Sequence, residues 1–265
     1  MLVTTSLQCM SFCQGEAMRI AQQYGVVYVS RQCFPSLMRL LSAHEESEVL
    51  VLGKDTWRLV HKGGSSLSFH PGSSRLRVRQ LRKGLSDPFF RYLRMRPGDA
   101  LLDATMGLGA DATVASYITQ WGGSSGRVEG WESQLSIFLL AKHGLQTYVS
   151  PDRALMQAMR NVVIHWRDHR RDLRRLPERC FDIVYLDPMF LHPGSRSPSI
   201  QALRSFANCS PLEKEMVGMA QRVARRAVIL KADASFPFYD FGFSLVKKAG
   251  YHFYGVLPTE ECVGV

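Results

Sequence analysis

Short apolar runs alternate with amphipathic stretches over the first 62 residues. Residues 1–6, 26–30, 49–52 and 57–61 have the apolar and β-branched composition of strands, and residues 16–24 and 35–44 have helical spacing. Gly/Ser-rich loops at 62–66 and 71–74 follow this region. The pattern predicts a small N-terminal α/β domain that spans residues 1–72.

A repeated strand–turn–helix pattern begins near residue 98. Strands are expected at 100–103, 126–131, 161–165, 181–186 and 226–231, and helices such as 111–119, 134–143 and 213–222 fill the intervals. Consecutive βα units build a parallel sheet with helices on both faces. A late strand pair at 242–247 and 251–257 indicates a reversed hairpin. We therefore expect an α/β, Rossmann-like domain over residues 73–265.

Composition excludes several classes of protein. The chain has 265 residues, of which 46% are hydrophobic, so it can bury a sizeable core. The longest apolar runs, 136–141 and 227–230, are far shorter than the roughly 20 residues that cross a bilayer. The N-terminus has no basic region followed by an apolar run, as a signal peptide would. We expect no membrane association and a cytoplasmic location.

The six cysteines do not have the spacing of a metal site. No pair is arranged as C-x-x-C, and no histidine lies at zinc-finger distance from a cysteine pair. We expect reduced, structural thiols and no bound metal.

Positive charge is both high and clustered. The formal net charge is +10 and the sequence pI is about 9.5. Five basic residues lie within 75–83, and a second group of arginines lies within 167–175. A basic surface attracts polyanions, and nucleic acid is the first candidate. The charge therefore predicts a phosphate-bearing partner.

The strand end at 101–109 carries the sharpest candidate for a ligand site. An apolar strand ends at Asp103, and Gly107 and Gly109 open the turn before a helix. Glycines permit positive φ and close approach of the backbone to a ligand, which binds beyond the carboxyl ends of the strands. The acid suits the ammonium group of a methionine moiety, so S-adenosylmethionine (SAM) is favoured over a pyrophosphate. The glycines by themselves also fit a dinucleotide.

Acids at the next two strand ends extend this site. Glu132 follows Gly109 by 23 residues, and its carboxylate can accept from both ribose hydroxyls of SAM or of NAD. Asp168 can accept from the adenine amine, with Arg167 alongside. Asp111 opens the helix after the glycines and either caps that helix or contacts the cofactor.

A hydrophobic strand at 181–186 runs directly into Asp187-Pro188-Met189-Phe190. Proline fixes φ and lacks an N–H, so this turn presents acceptors. The Asp187 carboxylate and the Pro188 carbonyl can accept from an exocyclic amine, and Phe190 can stack on a flat base. This equipment favours methylation of a base amine by positioning and electrostatics. Lys231 lies at a later strand end, where we expect it to contact a phosphate group, the target base or a neighbouring acid.

The string 103–112, Asp-Ala-Thr-Met-Gly-Leu-Gly-Ala-Asp-Ala, and the string 185–190, Tyr-Leu-Asp-Pro-Met-Phe, carry a family resemblance. Together they resemble bacterial small-subunit (16S) ribosomal RNA guanine-N2 methyltransferases of the RsmJ type. The resemblance is stronger still to a branch of predicted methyltransferases from Gram-positive bacteria. It covers about residues 68 to 258, and it departs from the RsmJ type in the N-terminal region and in the longer Pro/Ser-rich segment after residue 190.

The resemblance implies a class I SAM-dependent methyltransferase that acts on guanine N2 of small-subunit ribosomal RNA. Asp187, Pro188 and Phe190 would then be catalytic. The implied cofactor pocket combines the loop residues with those of the family, namely Asp103, Thr105, Gly107, Gly109, Ala110, Asp111, Glu132, Ser133, Arg167, Asp168 and Asp187.

Three alternatives stay open at this point. In the first, the methyl acceptor is a DNA base or a protein side chain. In the second, the protein binds SAM and RNA without catalysis. In the third, the cofactor is NAD.

Overall fold

The computed structural model describes residues 1–93, 95–189, 198–250 and 252–259. Within these ranges the chain forms two compact units. The first comprises Met1–His70, Gln134–Gly144 and the described part of Ser195–Ala207. The second comprises the described parts of Pro71–Ser133, Leu145–Gly194 and Asn208–Val265. The division into domains at 1–72 and 73–265 stays a prediction.

The first unit contains a five-stranded sheet. Its elements are β1 (Leu2–Thr5), α1 (Met10–Tyr24), β2 (Val27–Tyr28), α2 (Leu37–Ala43), β3 (Glu48–Leu52), β4 (Trp57–His61) and β5 (Ser66–Ser68). The strand order is β2-β1-β3-β4-β5, with β1 parallel to β2 and β3 and the remaining pairs antiparallel. The expected strands and helices are all present. β5 was missed because its three residues lie in a serine-rich segment that reads as a loop.

The N-terminal part of the first unit contains a disulfide, which corrects the expectation of reduced thiols there. Cys9 lies just before α1 and Cys13 in its first turn, with Cα atoms 5.6 Å apart. Residues four apart on a helix share one face, so the two sulfurs meet inside the unit, where both residues are buried.

The second unit contains a seven-stranded sheet. The remaining elements of the chain are α3 (Ser74–Arg82), α4 (Pro88–Leu93), β6 (Ala100–Asp103), α5 (Ala110–Thr119), β7 (Arg127–Glu132), α6 (Leu135–Thr147), α7 (Arg153–Arg160), β8 (Val162–Trp166), α8 (His169–Asp172), β9 (Phe181–Leu186), α9 (Pro198–Arg204), α10 (Lys214–Val223), β10 (Ala224–Ala232), β11 (Leu245–Ala249) and β12 (His252–Pro258). Most residues of α6 and all of α9 belong to the first unit.

The order of this sheet is β11-β12-β10-β9-β6-β7-β8. Strands β8, β7, β6, β9 and β10 pair in parallel, whereas β12 is antiparallel to both β10 and β11. The expected parallel sheet and reversed hairpin are thus confirmed. The chain leaves β6 towards β7 on one side and returns to β9 on the other, so the carboxyl ends of β6 and β9 flank the topological switch point. Ligands of open α/β sheets bind at such a point.

Apolar side chains from the central strands and from α10 form the core behind this edge. Leu102, Val184, Val228 and Leu230 are completely buried there, together with Ala220 of α10. Near-continuous apolar runs are expected of parallel strands that are covered on both faces. None of the described helices combines the length and the apolar composition that crossing a membrane requires.

Helix α3 was not predicted from the basic stretch 75–83. Its buried face consists of Ser74, Val78 and Leu81, which have helical spacing, while most other positions are charged. Because so few positions are apolar, the stretch resembled a solvated linker in the sequence.

Candidate functional site

The turn after β6 is shaped by its glycines. Gly107 and Gly109 have φ of +57° and +81°, which L side chains rarely adopt. The carbonyl of Gly109 accepts hydrogen bonds from the amide and the hydroxyl of Thr113 (3.0 and 2.7 Å), which begins α5 firmly at Ala110. The predicted loop therefore lies at the carboxyl edge of the sheet, where a ligand can approach its backbone.

Glu132 closes the same loop from the neighbouring strand. Its Oε2 accepts from the amide of Gly107 at 3.1 Å, and the amide of Met106 donates to the carbonyl of Trp131 at 2.9 Å. Gly130 lets Met106 pack this closely, because a Cβ at residue 130 would lie 2.0 Å from the Met106 sulfur. The ends of β6 and β7 thus form one structure around the glycine loop.

Asp103 is a buried acid with little hydrogen bonding. It is 1% exposed, and within the described part of the chain the one donor to its carboxylate is the amide of Thr105 at 3.2 Å. Burial raises the pKa of Asp103 well above its usual range, and the Asp111 carboxylate adds to the rise. A buried carboxyl so weakly paired fits a positively charged group of a ligand.

The turn after β9 is tied to the glycine loop. The amide of Asp187 donates to the Thr105 hydroxyl at 2.6 Å, and the amide of Ala104 donates to the carbonyl of Tyr185 at 3.0 Å. Asp187 and Pro188 are both partly exposed. The two sequence motifs, which are about 80 residues apart in the chain, therefore meet at one edge of the sheet.

Asp111 lies at the centre of an ion network rather than at the surface. One of its oxygens bonds to Arg77 of α3, and the other accepts from the Tyr185 hydroxyl and from Lys231 Nζ, both at 3.0 Å. Lys231 also donates to Asp187 Oδ2 at 2.7 Å. The sequence left a phosphate group, the target base and a neighbouring acid open as partners of Lys231. The structure shows that Lys231 pairs with two neighbouring acids, Asp111 and Asp187.

Arg77 joins this network to a second acid. Its guanidinium forms a two-pronged pair with Asp87, at 2.7 and 2.9 Å, in addition to its bond with Asp111. Sequence reasoning missed Arg77 and Tyr185. The available signals were a charged residue on the apolar face of α3 and a tyrosine two positions before Asp187, on the same face of β9.

Electrostatics differ for the two acids that Lys231 joins. Burial works against ionisation of Asp111, but Lys231 and Arg77 outweigh it and lower the pKa of Asp111. Burial and the Asp111 carboxylate raise the pKa of Asp187, and Lys231 opposes that rise. Although burial lowers the pKa of an amine, the two carboxylates raise the pKa of Lys231, which stays charged. Asp187 therefore depends on Lys231 to remain an acceptor.

The third strand end borders the same edge. Asp168 accepts from the amide of Arg170 at 3.0 Å and begins α8, and the amide of Arg167 donates to the Glu132 carbonyl at 3.1 Å. The carbonyl of Ser133 accepts from the Trp166 indole at 3.0 Å. These predicted cofactor residues thus follow adjacent strands, β7 and β8. Their contacts with a cofactor stay predictions.

Two expectations concern what lies around this edge. Phe190, the predicted stacking residue, is outside the described residues. Within the described ranges no group of three or more His, Cys, Asp or Glu side chains is arranged to hold a metal ion.

Comparisons with known proteins agree with the cofactor expected from the sequence. The family model of SAM-dependent methyltransferases matches residues 37–240. The Bacillus subtilis protein YpiP is 32% identical over 260 residues, which cover 97% of this chain and 99% of YpiP.

Two further matches are more limited. Ribosomal RNA small subunit methyltransferase J of Cellvibrio japonicus is 27% identical over 146 residues, about half of each chain (52% and 53%). The crystal structure of the SAM-dependent methyltransferase NGO1261 from Neisseria gonorrhoeae has a TM-score of 0.65 at 16% identity, and the match covers 100% of this chain and 97% of that one. This likeness confirms the predicted Rossmann-like fold.

Proposed function

The chain belongs to the family of SAM-dependent methyltransferases, and from that premise we propose that its acceptor is an exocyclic base amine in RNA. Guanine N2 of small-subunit ribosomal RNA is the proposed target. The observation that carries this proposal is the joining of the Asp187-Pro188 turn to the glycine loop through Thr105.

The residues around the glycine loop fit SAM. The weakly paired, buried Asp103 suits the ammonium of the methionine moiety, and the two glycines leave the backbone open to close approach. Glu132 ends the adjacent strand, where a carboxylate suits ribose hydroxyls. When bound, SAM would supply an electrophilic methyl group on its sulfonium, and cleavage of that S–CH3 bond would leave the neutral thioether S-adenosylhomocysteine.

The Asp187-Pro188 turn would orient the acceptor. The lone pair of an aromatic amine is delocalised into the ring, and two acceptors on its N–H groups can hold the nitrogen with its electron density directed at the methyl group. The Asp187 carboxylate and the Pro188 carbonyl are those acceptors. The nitrogen must lose one proton after it gains the methyl group. The Asp187 side chain, 32% exposed, can take that proton and pass it to water.

Two observations support RNA as the substrate. The net charge of +10 favours a polyanion, and the partial match to a ribosomal RNA small subunit methyltransferase spans about half of this chain. A base within a duplex or a stacked loop must be turned out before it reaches the turn.

The test is transfer of tritium from methyl-labelled SAM to RNA, DNA and protein from cells that lack the gene. We expect label in small-subunit ribosomal RNA, and loss of that label with Asp187→Ala. Asp240→Ala is the matched control, because Asp240 is an exposed acid of the same unit. Label only in DNA or protein would contradict the proposed acceptor. Binding of S-adenosylhomocysteine without any transfer would favour a non-catalytic role.

A further inference from the structure

Helix α3 has two faces with different tasks. Its inner face buries Val78 and Leu81 and directs Arg77 to Asp87 and Asp111. Its outer face carries four exposed cations, Arg75, Arg79, Arg82 and, at the helix end, Lys83. Residues 75, 79 and 82 are separated by four and three positions, so they lie in one row. At a rise of 1.5 Å per residue the row is about 10 Å long.

Nothing in the described part of the chain neutralises this row apart from one acid. Asp152 lies 3.2 Å from Arg82, whose side chain is 53% exposed, whereas no described carboxylate lies within 4.0 Å of Arg75, Arg79 or Lys83. Arg79, Arg82 and Lys83 also line a surface cavity of about 280 Å³. A row of exposed cations with so few nearby carboxylates suits an anionic group such as phosphate.

Three arginines of the second cluster hydrogen-bond to nearby groups, mainly backbone carbonyls. Arg170 donates to the Pro211 carbonyl, Arg174 to the carbonyls of Arg170 and Arg171, and Arg175 to Asp172. These arginines fasten α8 and the turn after it. Among the described residues each cluster leaves three cations without a carboxylate within 4.0 Å, so charge alone does not separate them. The α3 cluster differs because Arg77 ties its helix to Asp111.

We propose that the outer face of α3 is the docking surface for the phosphate backbone of the RNA substrate. The inference rests on the proposed function for the identity of the polyanion. Phosphate contacts set the register of a nucleic acid on a protein without reading its sequence. Because Arg77 ties the same helix to Asp111, and Lys231 ties Asp111 to Asp187, RNA held on α3 is held by an element fixed to the acceptor turn.

The test is the salt dependence of RNA binding. Each phosphate contact contributes about 0.7 to the slope of log K against log salt for single strands. The variant Arg75→Gln/Arg79→Gln/Lys83→Gln leaves the Arg82–Asp152 pair intact. Binding of a fluorescein-labelled single-stranded RNA of mixed sequence is measured over about 50–200 mM KCl. We expect the slope of log K against log salt to be less steep by about 2 in this variant than in the wild type.

Two control proteins make the result specific. Arg75→Lys/Arg79→Lys/Lys83→Arg keeps the charge and should keep the slope. Lys214→Gln/Lys247→Gln/Lys248→Gln removes the same charge from exposed positions elsewhere in the unit and should also keep it. In the methyl-transfer assay, the α3 variant should raise KM for RNA and leave kcat and the affinity for S-adenosylhomocysteine unchanged.

Three outcomes would overturn the inference. The first is an unchanged slope in the α3 variant, and the second is an equal fall of the slope in the Lys214/Lys247/Lys248 variant. The third is that the α3 variant keeps its binding to RNA and instead loses binding to phosphatidylglycerol vesicles. If neither wild type nor variant methylates RNA but the slope falls as expected, the docking surface stands and the proposed reaction fails. Methylation of RNA with no change of slope would support the proposed reaction and overturn the docking surface.

Discussion

Lys231→Met removes the cation that holds the proposed acceptor turn. Asp111 keeps Arg77 and Tyr185 as partners, whereas Asp187 loses its bond of 2.7 Å to Lys231. Burial and the Asp111 carboxylate already raise the pKa of Asp187, and Lys231 is the main group that opposes them. Without Lys231, Asp187 should therefore take up a proton at higher pH and cease to accept from an amine.

The burial of this pair sets the size of the effect. Breaking a fully buried ion pair costs about 3–5 kcal/mol, whereas exposed pairs contribute about 0.2–1 kcal/mol. Lys231 is 16% and Asp187 32% exposed, so an intermediate cost of about 1–3 kcal/mol is expected. Since about 1.4 kcal/mol corresponds to a factor of ten, methyl transfer at neutral pH should fall about 5- to 140-fold.

The assay is the pH profile of kcat for methyl transfer to ribosomal RNA. The wild type needs ionised Asp187, so its activity should rise with pH and level off. Lys231→Met should move this rise to higher pH, and Lys231→Arg should restore it towards the wild-type position. Lys231, Asp111 and Asp103 are the charged groups that face Asp187, together with His252, Tyr185 and Tyr254. Burial lowers the pKa of His252 and raises the pKa of both tyrosines. An equal loss at every pH, with the rise unmoved, would refute this reasoning.

Three further changes test the frame around the site. Arg77→Met leaves the buried Asp87 without its cation and Asp111 with Lys231 alone, and it should lower the free energy of unfolding by about 3–5 kcal/mol in urea denaturation. Arg75→Met should have little effect, and equal values for the two variants would contradict the network. Gly130→Ala places a Cβ 2.0 Å from the Met106 sulfur. It should lower the free energy of unfolding by about 1–3 kcal/mol and weaken binding of S-adenosylhomocysteine. Gly218→Ala, at a position of α10 with open space around it, should stabilise the protein slightly. Glu132→Gln should weaken that binding about tenfold or more in calorimetry, because a charged acceptor contributes about 1.5–3 kcal/mol; an unchanged affinity would remove Glu132 from the ribose site.

The central sheet was predictable because its signal is local. Apolar runs that end in an acid, a glycine or a proline, as at Asp103, Glu132 and Asp187, mark the carboxyl ends of parallel strands. The rule that ligands bind at those ends then places all three residues at one edge. The structure shows that arrangement for the strands and loops concerned.

The contacts of the ion network could not be predicted from the sequence, because they join elements that are distant in the chain. Arg77, Asp111, Tyr185 and Lys231 come from α3, α5, β9 and β10, and none of their spacings in the chain indicates a contact. α3 itself was missed since its apolar positions are few. The expectation of reduced thiols was wrong at Cys9 because the helical start of α1, which brings Cys13 beside it, was placed too late.

Nucleoside mass spectrometry of small-subunit ribosomal RNA from cells that lack the gene tests the central claim most directly. We predict that one N2-methylguanosine is absent, that it returns with the wild-type gene, and that Asp187→Ala does not restore it. An unchanged set of methylated nucleosides in the deletion strain would contradict the proposed reaction.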